Sequence, residues 1–283
     1  DALVKKVLPL GPEQRRQLSG INERRAEIIV PGLLVLQTAM ELLQVDAFVI
    51  SERALREGLI IDWMLRQGLI VDRFSYQSEI RRRTVLHQAH KFGVPIVRAE
   101  RVAGYATSLF DQTSGSFHQE DESARQLLWA AALLHSCGLH INTSGYHKHS
   151  WYLINNGELL GYNHDEQLVI ASLARYHRRS LPKKRHESWL LLDRDQRRVV
   201  ERLSLLLRLA VAIDRRPQGC VESVRARCSK GELKLQLKPI DPSDDLSLEL
   251  WSLQTCAQTM LQATGMVLNS SVLTEPAGLP QVA

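Results

Sequence analysis

DRDQRRVVERLSLLLRLAVAIDRR, residues 193–216, carries the clearest periodicity in the chain. Val199, Val200, Leu203, Leu206, Leu207, Ala210 and Ile213 recur at three- and four-residue steps, which places them on one face of an α-helix. Working backwards, similar spacing predicts helices over Glu79–Phe92, Val97–Gln112, Ser123–Gly138, His147–Gly157 and His164–Arg178, with Gly138 and Gly161 as helix stops. From Ser75 to Arg216 the chain therefore reads as nearly all helix, and the fold class is mainly α.

Both flanks differ from this helical block. After Arg216 the period shortens to two. Val224, Ala226 and Cys228 alternate, Ser229-Lys230-Gly231 turns, and Leu233, Leu235 and Leu237 alternate again, which predicts a β-hairpin. A helix is expected over Leu246–Ala263, and the tail after Asn269, with Pro276, Gly278 and Pro280, is expected to fray. At the other end, residues 1–70 read as the incomplete edge of an α/β layer. Ile28–Leu43 is a helix or strand–helix unit interrupted at Pro31-Gly32, Val45–Ile50 is a strand, and a helix capped by Ser51 runs over Ala54–Arg66. The boundaries that follow are 1–70, 71–216 and 217–283.

Composition narrows the class. The 283 residues suffice for a sizeable core, and 44% hydrophobic with 24% charged content excludes disordered and fibrous chains. Lys and Arg exceed Asp and Glu by 36 − 31 = 5, which leans towards an anionic partner. Aromatics are only 6%, so nucleic acid is not expected. Cys137, Cys220, Cys228 and Cys256 are scattered and form no CxxC, as expected of thiols in a reducing compartment. The opening DALVKKVLPLG lacks the apolar core of a secretion signal. The charge-free run Ile28–Met40 is short of the ~20 apolar residues that a membrane span needs. A cytoplasmic chain without a membrane segment is the expectation. The first residue is Asp1 rather than Met, which leaves open a processed chain or a piece of a longer one.

Chemistry concentrates in the helical block. All ten histidines lie between His87 and His186. Histidine is the common metal ligand and neutral-pH acid or base, but a helical domain also carries buried or solvated histidines that do neither. His147 and His149, two apart, are separated by ~200° on a helix and cannot share a metal there. RYHRRSLPKKRH, residues 175–186, packs six cations: Arg175, Arg178, Arg179, Lys183, Lys184 and Arg185. Such a run repels itself unless an anion neutralises it; otherwise it is a solvated loop. Asp214 closes an apolar helix beside Arg215 and Arg216, either as an ion pair or as an inward ligand. No GxxxxGK[ST] loop and no GxSxG elbow occurs.

Several segments, in order, resemble the exopolyphosphatase / guanosine pentaphosphate phosphohydrolase family. They are INERRAEIIVPGLLVL (21–36), VISERALREGLI (49–60), AERVAGYATSLFDQT (99–113), LLWAAALLHSCGLHI (127–141), SGYHKHSWYLI (144–154), IASLARYHRR (170–179) and LLRLAVAIDR (206–215). The resemblance covers about residues 12–268. It implies the end of a second actin-like lobe, then a helical domain related to the HD phosphohydrolases, then a small α+β domain. It also implies that hydrolysis of terminal phosphoanhydride bonds takes place in an actin-like cleft that this chain does not contain, with Mg²⁺ or Mn²⁺, and that the chain acts as a homodimer.

An HD metal site takes a His, an adjacent His-Asp pair and a later Asp. The matching positions here are Arg98, His135-Ser136 and Asp214. With two ligands replaced, one of them by a fixed cation, the comparison implies no metal centre and no catalytic residue in this chain. It implies instead an anion path lined by Arg98, His147, His149, Arg175, His177, Arg178, Arg179, Lys183, Lys184 and Arg185. The expected ligand is polyphosphate or guanosine pentaphosphate. The alternatives are a non-catalytic polyphosphate- or nucleotide-binding module with a degenerate HD site, and an independent HD-type metal phosphohydrolase.

Overall fold

The computed structural model describes residues 2–48, 55–66, 80–229 and 231–273. The chain separates into two compact units, Asp1–Val71 and Asp72–Ala283.

The first unit contains α1 (Ala2–Val7), α2 (Pro12–Arg16), α3 (Glu23–Leu43) and α4 (Leu55–Arg66). Asn22 starts α3 by accepting a hydrogen bond from the Arg25 amide at 3.0 Å. The expected interruption at Pro31-Gly32 does not occur. Pro31 removes one amide donor, but the helix continues around it through 21 residues. It ends at Gln44, which takes the left-handed conformation (φ 53°) and returns its N–H to the last turn. The strand expected at Val45–Ile50 is absent over residues 45–48, and among the described residues of this unit no strand lies alongside to supply a ladder; Val49, Ile50, Ser51 and Ala54 lie outside the described residues.

Only Ala26 of α3 is buried, while Ile28, Val35, Leu42 and Leu43 are more than three-fifths exposed. Because α3 extends past the charge-free run at both ends, its mean hydropathy reaches 1.6 over 18 residues, enough by length and composition to cross a membrane. A single helix of this kind does not establish a span.

The second unit is built from α5 (Ile80–Lys91), α6 (Ile96–Thr113), α7 (Glu122–Leu134), a 3₁₀ turn (Cys137–His140), α8 (Tyr146–Asn155), α9 (His164–Tyr176), α10 (Glu187–Leu190) and α11 (Arg194–Ile213). Then follow β1 (Val221–Ser229), β2 (Glu232–Pro239), α12 (Ser247–Thr264) and β3 (Val267–Val272). Capping explains several starts. Asp121 opens α7, and reciprocal capping boxes open α9 (Asn163 with Glu166) and α11 (Asp193 with Gln196). The expected α11 face is the core: Val200, Leu203, Leu206, Leu207, Ala210 and Ile213 are at most 1% exposed, and Val199 packs at its margin. α11 lies against α6, α9 and α12. Gly138 does not end α7, which stops at Leu134; it sits in the 3₁₀ turn pressed against α8. Gly161 lies in the loop before α9 at φ 86°.

β1 and β2 form the expected antiparallel hairpin, with Gly231 at φ 82° in its turn. Leu233, Leu235 and Leu237 point into the core. Gln112 of α6 covers the open side of β1, donating to Val224 O (2.9 Å) and accepting from Ala226 N (2.7 Å). Residues 270–272, at the start of the tail expected to fray, are instead in a strand, while Pro276, Gly278 and Pro280 lie outside the described residues. Residues 267–272 form β3, parallel to β2 with Leu235 opposite Ser270, so the sheet order is β1-β2-β3.

Candidate functional site

A cleft of about 830 Å³ opens in the second unit among α6, the end of α7, the start of α8, the end of α9, α11 and α12. Its charged lining is one-sided. Arg98, Arg178, Arg179, Arg208 and Arg215 face it, and among the described residues no carboxylate does. Trp251 of α12, more than half exposed, forms part of the opposite wall.

Asp214 lies beneath this wall with no exposed side-chain surface. Arg98 donates from Nε to Oδ2 (2.9 Å) and from Nη2 to the Asp214 carbonyl (2.9 Å). Arg101 donates from Nε to Oδ1 (2.8 Å) and from Nη2 to Pro217 O (2.6 Å). Each carboxylate oxygen thus already accepts a charge-assisted hydrogen bond, and one carboxylate faces two guanidinium groups. The pair leaves a positive balance at the cleft floor. Among the described residues no three His, Cys, Asp or Glu side chains converge as a metal site would require.

His135 and His177 sit side by side on the floor, their rings edge-to-face with centroids 5.2 Å apart. Each ends its helix and places Nδ1 2.6 Å from a backbone carbonyl three residues back, Ala132 O and Ala174 O. A carbonyl only accepts, so both Nδ1 atoms carry the proton and both Nε2 atoms are acceptors. Tyr146 donates its hydroxyl to His177 Nε2 at 3.1 Å. Burial pulls His135 down to about 4, and Arg98 adds to the shift. His177 is also pulled well below 6.5, first by burial and then by His135. Both are neutral at physiological pH.

The arginines are held in place as well. Arg208 reaches from α11 and donates from Nη2 to Tyr176 O and Arg179 O, each at 3.0 Å. It thereby fixes the turn after α9, where Arg179 takes the left-handed backbone (φ 61°) that favours glycine. Arg178 stacks on the Tyr146 ring, 4.5 Å from its centroid.

The structure sorts the sequence candidates into three places. Arg98, His135, Ser136, His177, Arg178 and Arg179 line the cleft. His147, Arg175 and Arg185 instead line a second cavity of about 260 Å³. His149, Lys183 and Lys184 line neither, and Asp214 lies behind the wall. Sequence reasoning missed Arg101, Arg208, Arg215, Tyr146 and Trp251. Arg208 had a readable signal: it is the one cation inside LSLLLRLAVAI, on a helix whose other positions there are apolar or small.

Residues 80–257 match the profile described as Ppx/GppA phosphatase, domain III, and residues 1–67 match the Ppx/GppA phosphatase family. The chain is 32% identical over 166 residues to a guanosine-5'-triphosphate,3'-diphosphate pyrophosphatase of Pseudoalteromonas translucida, covering 59% of this chain and 32% of the relative. It is 31% identical over 208 residues to the protein of the same name from Vibrio parahaemolyticus, covering 72% of this chain and 39% of the relative. A Vibrio campbellii protein of that name is 29% identical over 218 residues, 76% of this chain and 41% of the relative. The chain thus spans between about a third and two fifths of the length of these relatives.

Proposed function

Because this chain belongs to the Ppx/GppA phosphatase family, we propose that it is the substrate-holding C-terminal portion of a phosphoanhydride hydrolase. The cleft binds the polyanion, and bond cleavage occurs in a part of the longer protein that lies outside this chain. The observation that carries this reading is the lining: five arginines and, among the described residues, no carboxylate, in a volume suited to a nucleotide-sized ligand. Arg forks match phosphate oxygens, and the two neutral histidines add polar contacts without further repulsion.

The names of the relatives support guanosine pentaphosphate as the substrate. Long-chain polyphosphate presents the same terminal phosphoanhydride and the same charge to the cleft. Mg²⁺ or Mn²⁺ would act where the bond is cut. The residues here do not suit such an ion, because both carboxylate oxygens of Asp214 are engaged by the fixed cations Arg98 and Arg101 and, among the described residues, no further ligands converge there. That pairing favours substrate holding over an independent HD-type hydrolase, with Arg98, His135, Ser136 and Asp214 as the altered HD positions. A homodimer and a cytoplasmic location complete the proposal.

Binding of guanosine pentaphosphate and of long-chain polyphosphate to this chain, measured over a salt series, tests the reading. Arg178→Ala with Arg179→Ala removes two guanidinium groups from the rim. If each contact contributes a slope of ~0.7, as for single-stranded phosphate polymers, log Kd should lose ~1.4 of its dependence on log salt. Unchanged affinity and slope at low salt would overturn the cleft as the binding site.

A further inference from the structure

The second cavity has properties of its own. It lies at the start of α8 and the end of α9 and is lined by His147, Lys148, Arg175, Ser180, Arg185 and His186, with Tyr176 behind them. Three of these are fixed cations and none is a carboxylate. At about 260 Å³ it is below the usual range for nucleotide- or drug-sized ligands, roughly 300–1,000 Å³. It suits a small oxyanion.

Two further features indicate that something polar is meant to enter. His147 is 8% exposed, and its Nδ1 has no hydrogen-bond partner. A buried ring nitrogen normally finds one. Lys148, next in sequence, is placed against its own helix. α8 begins at Gly145, which provides no capping side chain, and carries His147 and Lys148 in its first turn. The positive end of a helix dipole prefers an anion there. The fixed charge of Lys148 in that turn is unfavourable unless an anion bridges it to the amides. His186 is anchored by Tyr176, its Nδ1 3.2 Å from the hydroxyl and the two rings stacked at 15°. That hydroxyl is also 3.0 Å from Ser188 Oγ, so one side of the cavity is pre-organised.

We propose that this cavity is a separate binding site for a single tetrahedral oxyanion of the phosphate class, held by Lys148, Arg175, Arg185 and the buried face of His147. It goes beyond the cleft reading and does not depend on it. The cleft would take a long polyanion; this cavity takes one phosphate group, the size of what a phosphoanhydride hydrolase releases. No bond is made or broken in it.

The probe is inorganic phosphate, titrated calorimetrically into the whole chain at low salt, with sulfate as a second arm. One phosphate is expected to bind per chain. Arg175→Gln with Arg185→Gln should weaken it about a hundredfold, because two charge-assisted hydrogen bonds are lost. Arg215→Gln, in the cleft, should leave it within about twofold. Arg175 also stacks near Trp151 and Tyr176, so Lys148→Gln, on the exposed face of α8, serves as the variant that cannot disturb the core. It should weaken phosphate about tenfold at unchanged melting temperature. Two outcomes overturn the site: no phosphate binding at low salt, or phosphate binding that Lys148→Gln and the double variant leave intact while Arg215→Gln weakens it. The second result would place the anion in the cleft and leave the cleft reading standing. Loss of polyphosphate binding alone would count against the cleft and not against this cavity. Equal binding of sulfate would define a site for tetrahedral oxyanions of either kind, as stated.

Discussion

Asp214→Asn isolates the arrangement on which the cleft floor depends. The substitution keeps the shape of the side chain and removes its charge, leaving Arg98 and Arg101 opposite a neutral amide. In the parent, Oδ1 and Oδ2 accept charge-assisted hydrogen bonds at 2.8 and 2.9 Å with no exposed side-chain surface on the aspartate. Bonds of this kind contribute ~1.5–3 kcal/mol each. The arginines are 40% and 21% exposed, so water recovers part of the loss for them. A net cost of about 2–4 kcal/mol follows. For a unit of this size each kcal/mol moves the melting temperature by ~2–4 °C, so a fall of about 10 °C is expected in a thermal melt. Anion affinity should not fall with it, because one negative charge has been removed from beneath a basic cleft. Mn²⁺ should raise the melting temperature of neither protein. A melting temperature within about 2 °C of the parent would refute the ion-pair reasoning. Stabilisation of the parent by Mn²⁺, abolished by Asp214→Asn, would show that Asp214 is a ligand after all.

Two other outcomes follow from the same geometry. His135 stands at about 4 in the fold against 6.5 when unfolded, chiefly through burial. The unfolded chain therefore takes up a proton that the fold refuses. The contribution is complete above pH 6.5 and drains away as pH falls towards 4, with ~2 kcal/mol gone by pH 5. His177 shifts in the same direction. Melting temperature should drop by several degrees between pH 7.5 and 5, and His135→Gln should flatten part of that slope; a level profile would contradict the neutral buried pair. Gly138→Ala would drive a methyl group into the Tyr146 carbonyl and the Ser150 backbone nitrogen, with Ser150 Oγ only 2.8 Å away. Backbone cannot yield as a side chain tip does, so a loss of ~3 kcal/mol or more is expected in denaturant melts, with weakened polyphosphate binding as Tyr146 moves. A neutral outcome would mean that the 3₁₀ turn and α8 are not in tight contact.

The helical block was legible because its apolar residues repeat at helical spacing; the caps Asp121, Asn163 and Asp193, which the sequence reading did not use, set where three of the helices start. The hairpin was legible for the corresponding reason at a period of two. β3 was not. Its buried pattern reduces to Leu268, and Asn269, Ser270 and Ser271 give no alternation, since the strand exists by borrowing the ladder of β2 rather than by an apolar face of its own. α3 was misread at Pro31, where local helix breaking lost to a capped, 21-residue hydrogen-bonded run. The histidine cluster was a real signal with a divided meaning. His118 is a satisfied core residue, its Nε2 2.9 Å from Phe110 O and its Nδ1 accepting from Glu120 N. His135 and His177 reach the cleft only because each closes a helix there. The basic run 175–186 was legible as a charge excess. Which cations converge was not, because α9 ends inside the run and turns them to different sides.

The charge pattern of the cleft has a single physical logic. Among the described residues, Arg178, Arg179, Arg208 and Arg215 have no carboxylate within ion-pair distance, although the chain carries 31 acidic residues to its 36 basic ones. Arg208 is instead tied to carbonyls and Arg178 to an aromatic face, contacts that fix direction without cancelling charge. Asp214, the buried carboxylate behind the cleft wall, is shared between two guanidinium groups and neutralises only half of their charge, while the other buried carboxylate, Glu249, faces Arg216 at 3.6 Å. His147 next door is depressed first by burial and then by Arg178 and Arg175, and His186 first by burial and then by Arg175 and Arg185, so both are kept from adding charge. Like charges gathered this way repel one another in the unliganded fold, at a cost that only a bound anion reverses. An arrangement that keeps its cations aimed, uncompensated and close together holds that repulsion in reserve for binding, which is why the lining, more than any single residue, assigns the cleft to a polyanion.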